Sequence, residues 1–192
     1  MLEETETFCP ASQQDWRQWL QQNHHIKQAV WLVYYKKNSN KSTINWSQAV
    51  DEALCFGWID STAKPLDKEK YIQFFCKRKP KSNWSKINKA KVDMLIEAQL
   101  MTSAGYASIK TAKENGSWTI LDEVEELKIP DDLEESFKTR AGSNDFFTSF
   151  SKSVRKSMLQ WVVLAKRPET RQKRIKQITD CAALKQKPEQ FR

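Results

Sequence analysis

Glycine and histidine are scarce, with four glycines and two histidines in 192 residues. The glycines do not cluster, so neither usual Gly-rich phosphate loop is present. The HExxH signature of zinc peptidases and the GxSxG signature of serine hydrolases are also missing. His24 and His25 are adjacent, face different ways on any regular backbone, and have no Cys or His nearby, so neither a metal nor a cofactor is expected. The four cysteines (Cys9, Cys55, Cys76, Cys181) are far apart and form no CxxC pair. The opening "MLEETETFCP" is acidic and lacks the basic and apolar regions of a signal peptide, so a cytosolic protein with reduced thiols is expected. Cys55 and Cys76 sit among aromatics and read as small core residues. The apolar runs "AVWLVYY" and "WVVLA" fall far short of the roughly 20 residues that cross a bilayer.

Aromatics are plentiful, with eight Trp and nine Phe, and the 39% hydrophobic fraction is enough for a real core. The net charge is +8, and the pI near 9.3 favours an anionic partner. Nucleic acid, a nucleotide, a phosphorylated metabolite and an anionic membrane surface all qualify.

The pattern predicts an α+β fold: a small antiparallel sheet of about three strands packed with helices, then a helical C-terminal module. Ser12 is placed to cap a first helix with Trp16, Trp19 and Leu20 inward. "AVWLVYYKK" reads as a strand. "INWSQAVDEALCFG" carries a helical stripe of Trp46, Ala49, Val50, Ala53 and Leu54, capped by Asn45 with Gln48 three residues on, and Gly57 suits the left-handed position beyond its end. A hairpin over "WIDSTAKPLDKEKYIQFFCKRK" follows, then helices from Ser85, with Ile87, Ala90, Met94 and Leu95 on one face, and from Ser103 to Asn115. Asp122–Glu135 holds eight acids and one lysine. It reads as a linker or seam between an N-terminal domain over 1–121 and a helical module over 136–192. In that module Val154, Met158, Trp161, Val162 and Ala165 form one stripe. Pro168 starts a last helix with Ile175, Ile178 and Ala182 inward.

The stretch "CKRKPKSNWSKINKAK", Cys76–Lys91, holds seven cations and no acid. It opens a helix, where acids are normally favoured and lysines mildly unfavourable. An anion at that N-terminus would reverse the effect, because backbone N–H groups and cations converge on it. The candidate ligand-binding residues are therefore Arg78, Lys79, Lys81, Ser82, Trp84, Ser85 and Asn88, with Trp84 as a flat apolar wall. An anionic small molecule or an acidic partner is the expected occupant. A nucleic-acid track that also uses Arg171, Lys173, Arg174 and Lys176 is the second reading. No residue is assigned a catalytic role. Glu52 and Asp60 are the carboxylates that a hydrolase or transferase would have to use, and near lysines such groups are more often ion-pair partners.

Together "WLVYYKK", "EALCFGWIDS", "KPKSNWSKIN" and "LQWVVLAKRPETRQKRI" resemble the YdeI/OmpD-associated family of bacteriocin-protection proteins, over about Trp31 to Ile175. The C-terminal half resembles its OmdA segment, which in relatives also follows a different N-terminal domain. The resemblance implies a bacterial cytosolic protein linked to tolerance of antimicrobial peptides or bacteriocins. It implies no particular catalytic residues.

Overall fold

The computed structural model describes residues 5–39, 41 and 44–192, leaving aside the side chain of Lys37. The chain divides into two compact units, one running to Trp118 and the other Thr119–Arg192.

The first unit is an α+β layer. Helix α1 (Gln13–Asn23) is capped by the Ser12 hydroxyl, which accepts the Asp15 N–H, and buries Trp16, Trp19 and Leu20. Helix α2 (Trp46–Cys55) begins with the reciprocal Asn45/Gln48 capping box. It ends before Gly57, whose φ of 71° is the left-handed conformation glycine adopts without strain. Strands β2 (Ala29–Tyr35), β3 (Trp58–Pro65) and β4 (Lys70–Lys77) pair antiparallel, β4 lying between the other two. The register of β3 shifts between Asp60 and Ala63, a bulge on an edge strand. A fourth strand, β1 (Thr7–Phe8), adds to β2 in parallel, giving the order β1-β2-β4-β3. Three strands were expected, and two residues are too few to show any periodicity.

Side chains alternate across a sheet, so Val30, Leu32, Tyr34 and Phe75 share one face. They form a single core with α1, α2, α3 (Lys86–Glu97) and α4 (Ser103–Glu114). Backbones approach closely where α2 ends. The Thr102 N–H and hydroxyl both donate to the Cys55 carbonyl, at 3.2 and 2.6 Å. A Cβ at Gly105 would stand 2.5 Å from that oxygen, so the position has room only for hydrogen.

Two expected faces differ. In α3 the buried residues are Val92 and Leu95, whereas Ile87 and Met94 are 67% and 60% exposed and Ala90 is exposed. Lys91 bonds Asp51 and Ser47 of α2 at 2.6 and 2.7 Å, which turns that side of α3 inward. Trp46 is 47% exposed because its indole N–H reaches out to Asp60 at 2.8 Å.

The second unit is helical: α5 (Asp122–Glu125), α6 (Asp131–Lys138), α7 (Ser143–Thr148), α8 (Lys152–Val163) and α9 (Pro168–Ala183). The acid-rich run Asp122–Glu135 lies within it and gives Val124 and Leu133 to its core. Ile175, Ile178 and Ala182 of α9 are buried as expected, against Phe137, Phe147, Met158 and Val162. In α8 Leu159 joins Met158 and Val162 inward, while Ala165 lies beyond the helix end. No helix is long and apolar enough to cross a membrane, among the described residues.

Candidate functional site

Strand β4 runs out at Lys77 into a loop that the Arg78 N–H ties to the Gly57 carbonyl at 2.9 Å. Pro80 is held from the far end of the unit: its carbonyl accepts from Asn115 Nδ2 at 2.7 Å and from Ser117 Oγ at 3.3 Å. The Ser82 N–H closes a turn onto the Lys79 carbonyl. Ser85 then caps α3, its hydroxyl accepting the Asn88 N–H at 3.2 Å. The Ser82 hydroxyl is therefore not the cap. No side chain accepts the N–H groups of Lys86 and Ile87, among the described residues.

Arg78 is the central side chain. Its guanidinium lies 3.7 Å from the centre of the Trp84 ring, and Nη1 donates to the Asn83 carbonyl at 2.9 Å. Nε and Nη2 are buried and have no hydrogen-bond partner. Burial pushes the guanidinium pKa down to about 10, against the pull of Asp60 and Cys76. Trp84 is 1% exposed, so it belongs to the core, with Arg78 over its ring and Trp118 tilted against it at 4.9 Å. It therefore backs the guanidinium instead of offering an open wall.

The seven cations divide by task. Lys77 donates to the His25 carbonyl, Lys91 pairs with Asp51, and Lys89 stands over the Trp118 ring. Lys79, Lys81 and Lys86 are exposed and in no ion pair among the described residues. The loop thus presents three solvated ammonium groups around one partly buried guanidinium.

Of the two candidate carboxylates, Glu52 lies apart from this loop, whereas Asp60 is near enough to pull on the Arg78 guanidinium. Glu52 is 4% exposed and both its oxygens are taken, by Arg17 Nη1 at 2.6 Å and Gln13 Nε2 at 2.7 Å. Asp60 accepts from Trp46 Nε1 at 2.8 Å and Gln73 Nε2 at 3.1 Å. The basic segment of α9 is also largely engaged. Arg171 grips Asp132 through Nε and Nη2, Arg174 lies over the Trp161 ring at 4.9 Å, and Lys176 pairs with Asp180. Among the described residues no group of three His, Cys, Asp or Glu is placed to hold a metal. Asn115, Ser117 and Trp118 were not legible as parts of this loop, because nothing local marks contacts more than 30 residues away.

Residues 8–108 match the family model of a domain of unknown function, DUF8412. Residues 126–185 match OmdA, described as bacteriocin-protection, YdeI or OmpD-associated. Of the likeness read over Trp31–Ile175, the YdeI/OmpD-associated family is thus shown over residues 126–185, and the earlier strings fall in the DUF8412 match. No curated protein and no solved structure matches the chain.

Proposed function

We propose that this chain, which belongs to the DUF8412 family and carries an OmdA segment at its C-terminal end, is a cytosolic binding protein that holds an anionic ligand at the Arg78–Asn88 loop. The description of the OmdA family supports a role in protection against bacteriocins. One observation carries the binding site: two buried guanidinium nitrogens of Arg78 lack partners. A buried charged donor without an acceptor is costly, and Nε and Nη2 form the fork that two oxygens of a phosphate or carboxylate fill together. Lys79, Lys81 and Lys86 supply further charge, and the N–H groups of Lys86 and Ile87 supply donors at the positive end of α3. Glu52 and Asp60, already bonded to Arg17, Gln13, Trp46 and Gln73, support ion-pair and hydrogen-bonding roles. A track of nucleic acid over both basic segments has less to draw on, since Arg171 and Arg174 are turned to their own unit.

Titration of isotope-labelled protein with inorganic phosphate and pyrophosphate tests the site. The expected result is movement of the Lys86 and Ile87 amide signals and the Arg78 Nε signal, with a shallow dependence on salt. Lys79→Glu combined with Lys81→Glu should abolish it and barely change Tm, because both side chains are exposed. Signals that stay put, or binding that survives the double charge reversal, would overturn the reading.

A further inference from the structure

The sheet has a second face that the helices of the first unit do not use. Trp31 and Phe74 are register partners on the two central strands, and alternation puts both on the side opposite Leu32 and Phe75. Their rings meet edge to face at 4.9 Å and 65°. Val33, Tyr35 and Ile72 continue the same face. None of these five belongs to the core cluster that the helices cover, and Trp31, Tyr35, Ile72 and Phe74 are all partly exposed.

The surroundings of this face are cationic. Lys64 Nζ stands 4.9 Å over the Trp31 ring, and Lys41 and Lys70 stand 5.1 and 5.3 Å from the centre of Tyr35. Lys64 and Lys70 are in no ion pair among the described residues. The nearby acids are occupied: Glu69 pairs with Lys41, and one oxygen of Asp67 accepts the N–H groups of Glu69 and Lys70 in the hairpin turn. At the other end of the face is Cys76, whose thiol is raised by burial and lowered by the charges of Lys79 and Arg78. Lysines therefore stand over the rings toward the hairpin end of the face, and the charge of Lys79 is felt at Cys76 at the other end.

We propose that this face binds single-stranded nucleic acid, with bases stacking on Trp31 and Phe74 and the phosphates tracked by Lys64, Lys70 and Lys79. An acidic peptide would need the lysines but would leave two aromatic rings on adjacent central strands without use. Bases need both, since a flat ring stacks on any base and the strand's phosphates follow the cations. A duplex hides its bases and cannot use the rings. The lysines now over Trp31 and Tyr35 occupy the ring faces as placeholders, and a base displaces them outward toward the phosphates. This surface shares Lys79 with the Arg78 site, but Trp31, Phe74 and Lys64 belong to it alone, so variants at those three let either assignment fail alone.

The test is fluorescence anisotropy with labelled oligothymidylate and oligouridylate, a matched duplex, and vesicles of phosphatidylcholine with phosphatidylserine. The full chain should bind the single strands, more weakly the duplex, with log affinity falling by about 0.7 per phosphate contact against log salt. Trp31→Leu and Phe74→Leu, which keep apolar volume on the sheet, should each weaken binding roughly five- to a hundredfold. Circular dichroism melts confirm that both variants fold. Lys64→Ala should weaken binding and flatten the salt slope, and the Trp31 indole N–H signal should shift on titration. Absence of binding to single strands overturns the proposal. So does binding unchanged by Trp31→Leu and Phe74→Leu, which would place the strand on the loop alone. Preference for the duplex, or for vesicles with the same two variants defective, overturns it in favour of another partner.

Discussion

Arg17 on α1 and Glu52 on α2 form an ion pair at 2.6 Å whose side chains are 17% and 5% exposed. Arg17 also donates to the Leu100 carbonyl at 2.8 Å, beyond the end of α3. One buried carboxylate therefore ties the first two helices to each other and, through Arg17, to a third segment. Glu52→Ala leaves a guanidinium facing a vacated site, and its stability loss should be roughly 3 kcal/mol by urea denaturation. Phosphate affinity should not change. A variant as stable as the parent would mean the pair contributes nothing.

Glycine substitutions should separate steric from backbone causes. At Gly105 a Cβ meets Met101 Sδ at 2.3 Å and the Cys55 carbonyl at 2.5 Å, and the carbonyl cannot move without shifting the end of α2. At Gly116 a Cβ meets nothing, and only the φ of 78° opposes a side chain. Gly105→Ala should cost about 1–3 kcal/mol by overpacking, and Gly116→Ala about 1 kcal/mol. The reverse order would show that α4 slides freely on α2.

The cysteines should differ sharply in reactivity. Cys9 is exposed, whereas Cys55 is buried, and burial pushes its thiol pKa up to about 11 against the hydrogen bond from Arg17. The thiolate is the reactive form, so iodoacetamide at neutral pH should label Cys9 quickly and Cys55 only when the unit opens. Mass spectrometry of digests over time reads both rates. Equal rates in the native protein would show that the end of α2 is not closed.

In the second unit the Arg171 guanidinium holds the Asp132 carboxyl below its ordinary range. A depressed carboxyl stabilises the fold above its unfolded value, near pH 4, and the contribution disappears as pH falls through the folded value. Both side chains reach solvent, so screening limits the pair to about 1 kcal/mol or less. The stability difference between the parent and Arg171→Ala should be full at pH 7, shrink below about pH 4, and fall with added salt. A difference that is constant from neutral to strongly acidic pH would assign it to packing.

Much of the first unit was legible locally. The capping box of α2 needs only Asn45 and Gln48, and its end needs only Gly57. The last helix announces itself through Pro168 and the inward spacing of Ile175, Ile178 and Ala182. The inward side of α3 was not legible, because apolar spacing favoured Ile87 and Met94, while the ion pair of Lys91 with Asp51, 40 residues away, decided the orientation. The cation-rich loop was conspicuous in the sequence, but its division of labour was not. Which cation lies over Trp84, and which residues hold the Pro80 carbonyl, depend on contacts across the whole unit. The Trp31–Phe74 pair was hidden for the same reason: alternation assigns faces within a strand, and only the register between strands makes two rings neighbours.

The bulge in β3 bears on how the molecule behaves when crowded. Unpaired strand edges recruit other chains and seed fibrils, and proteins counter this with bulges, lysines, prolines and very short edge strands. Here one edge of the sheet is β1, two residues long. The other is β3, broken in register between Asp60 and Ala63 and finishing in Lys64 and Pro65. Neither side gives an incoming strand a long straight ladder. A four-stranded sheet with partly exposed aromatics on one face is thus guarded against growing edge to edge through its backbone.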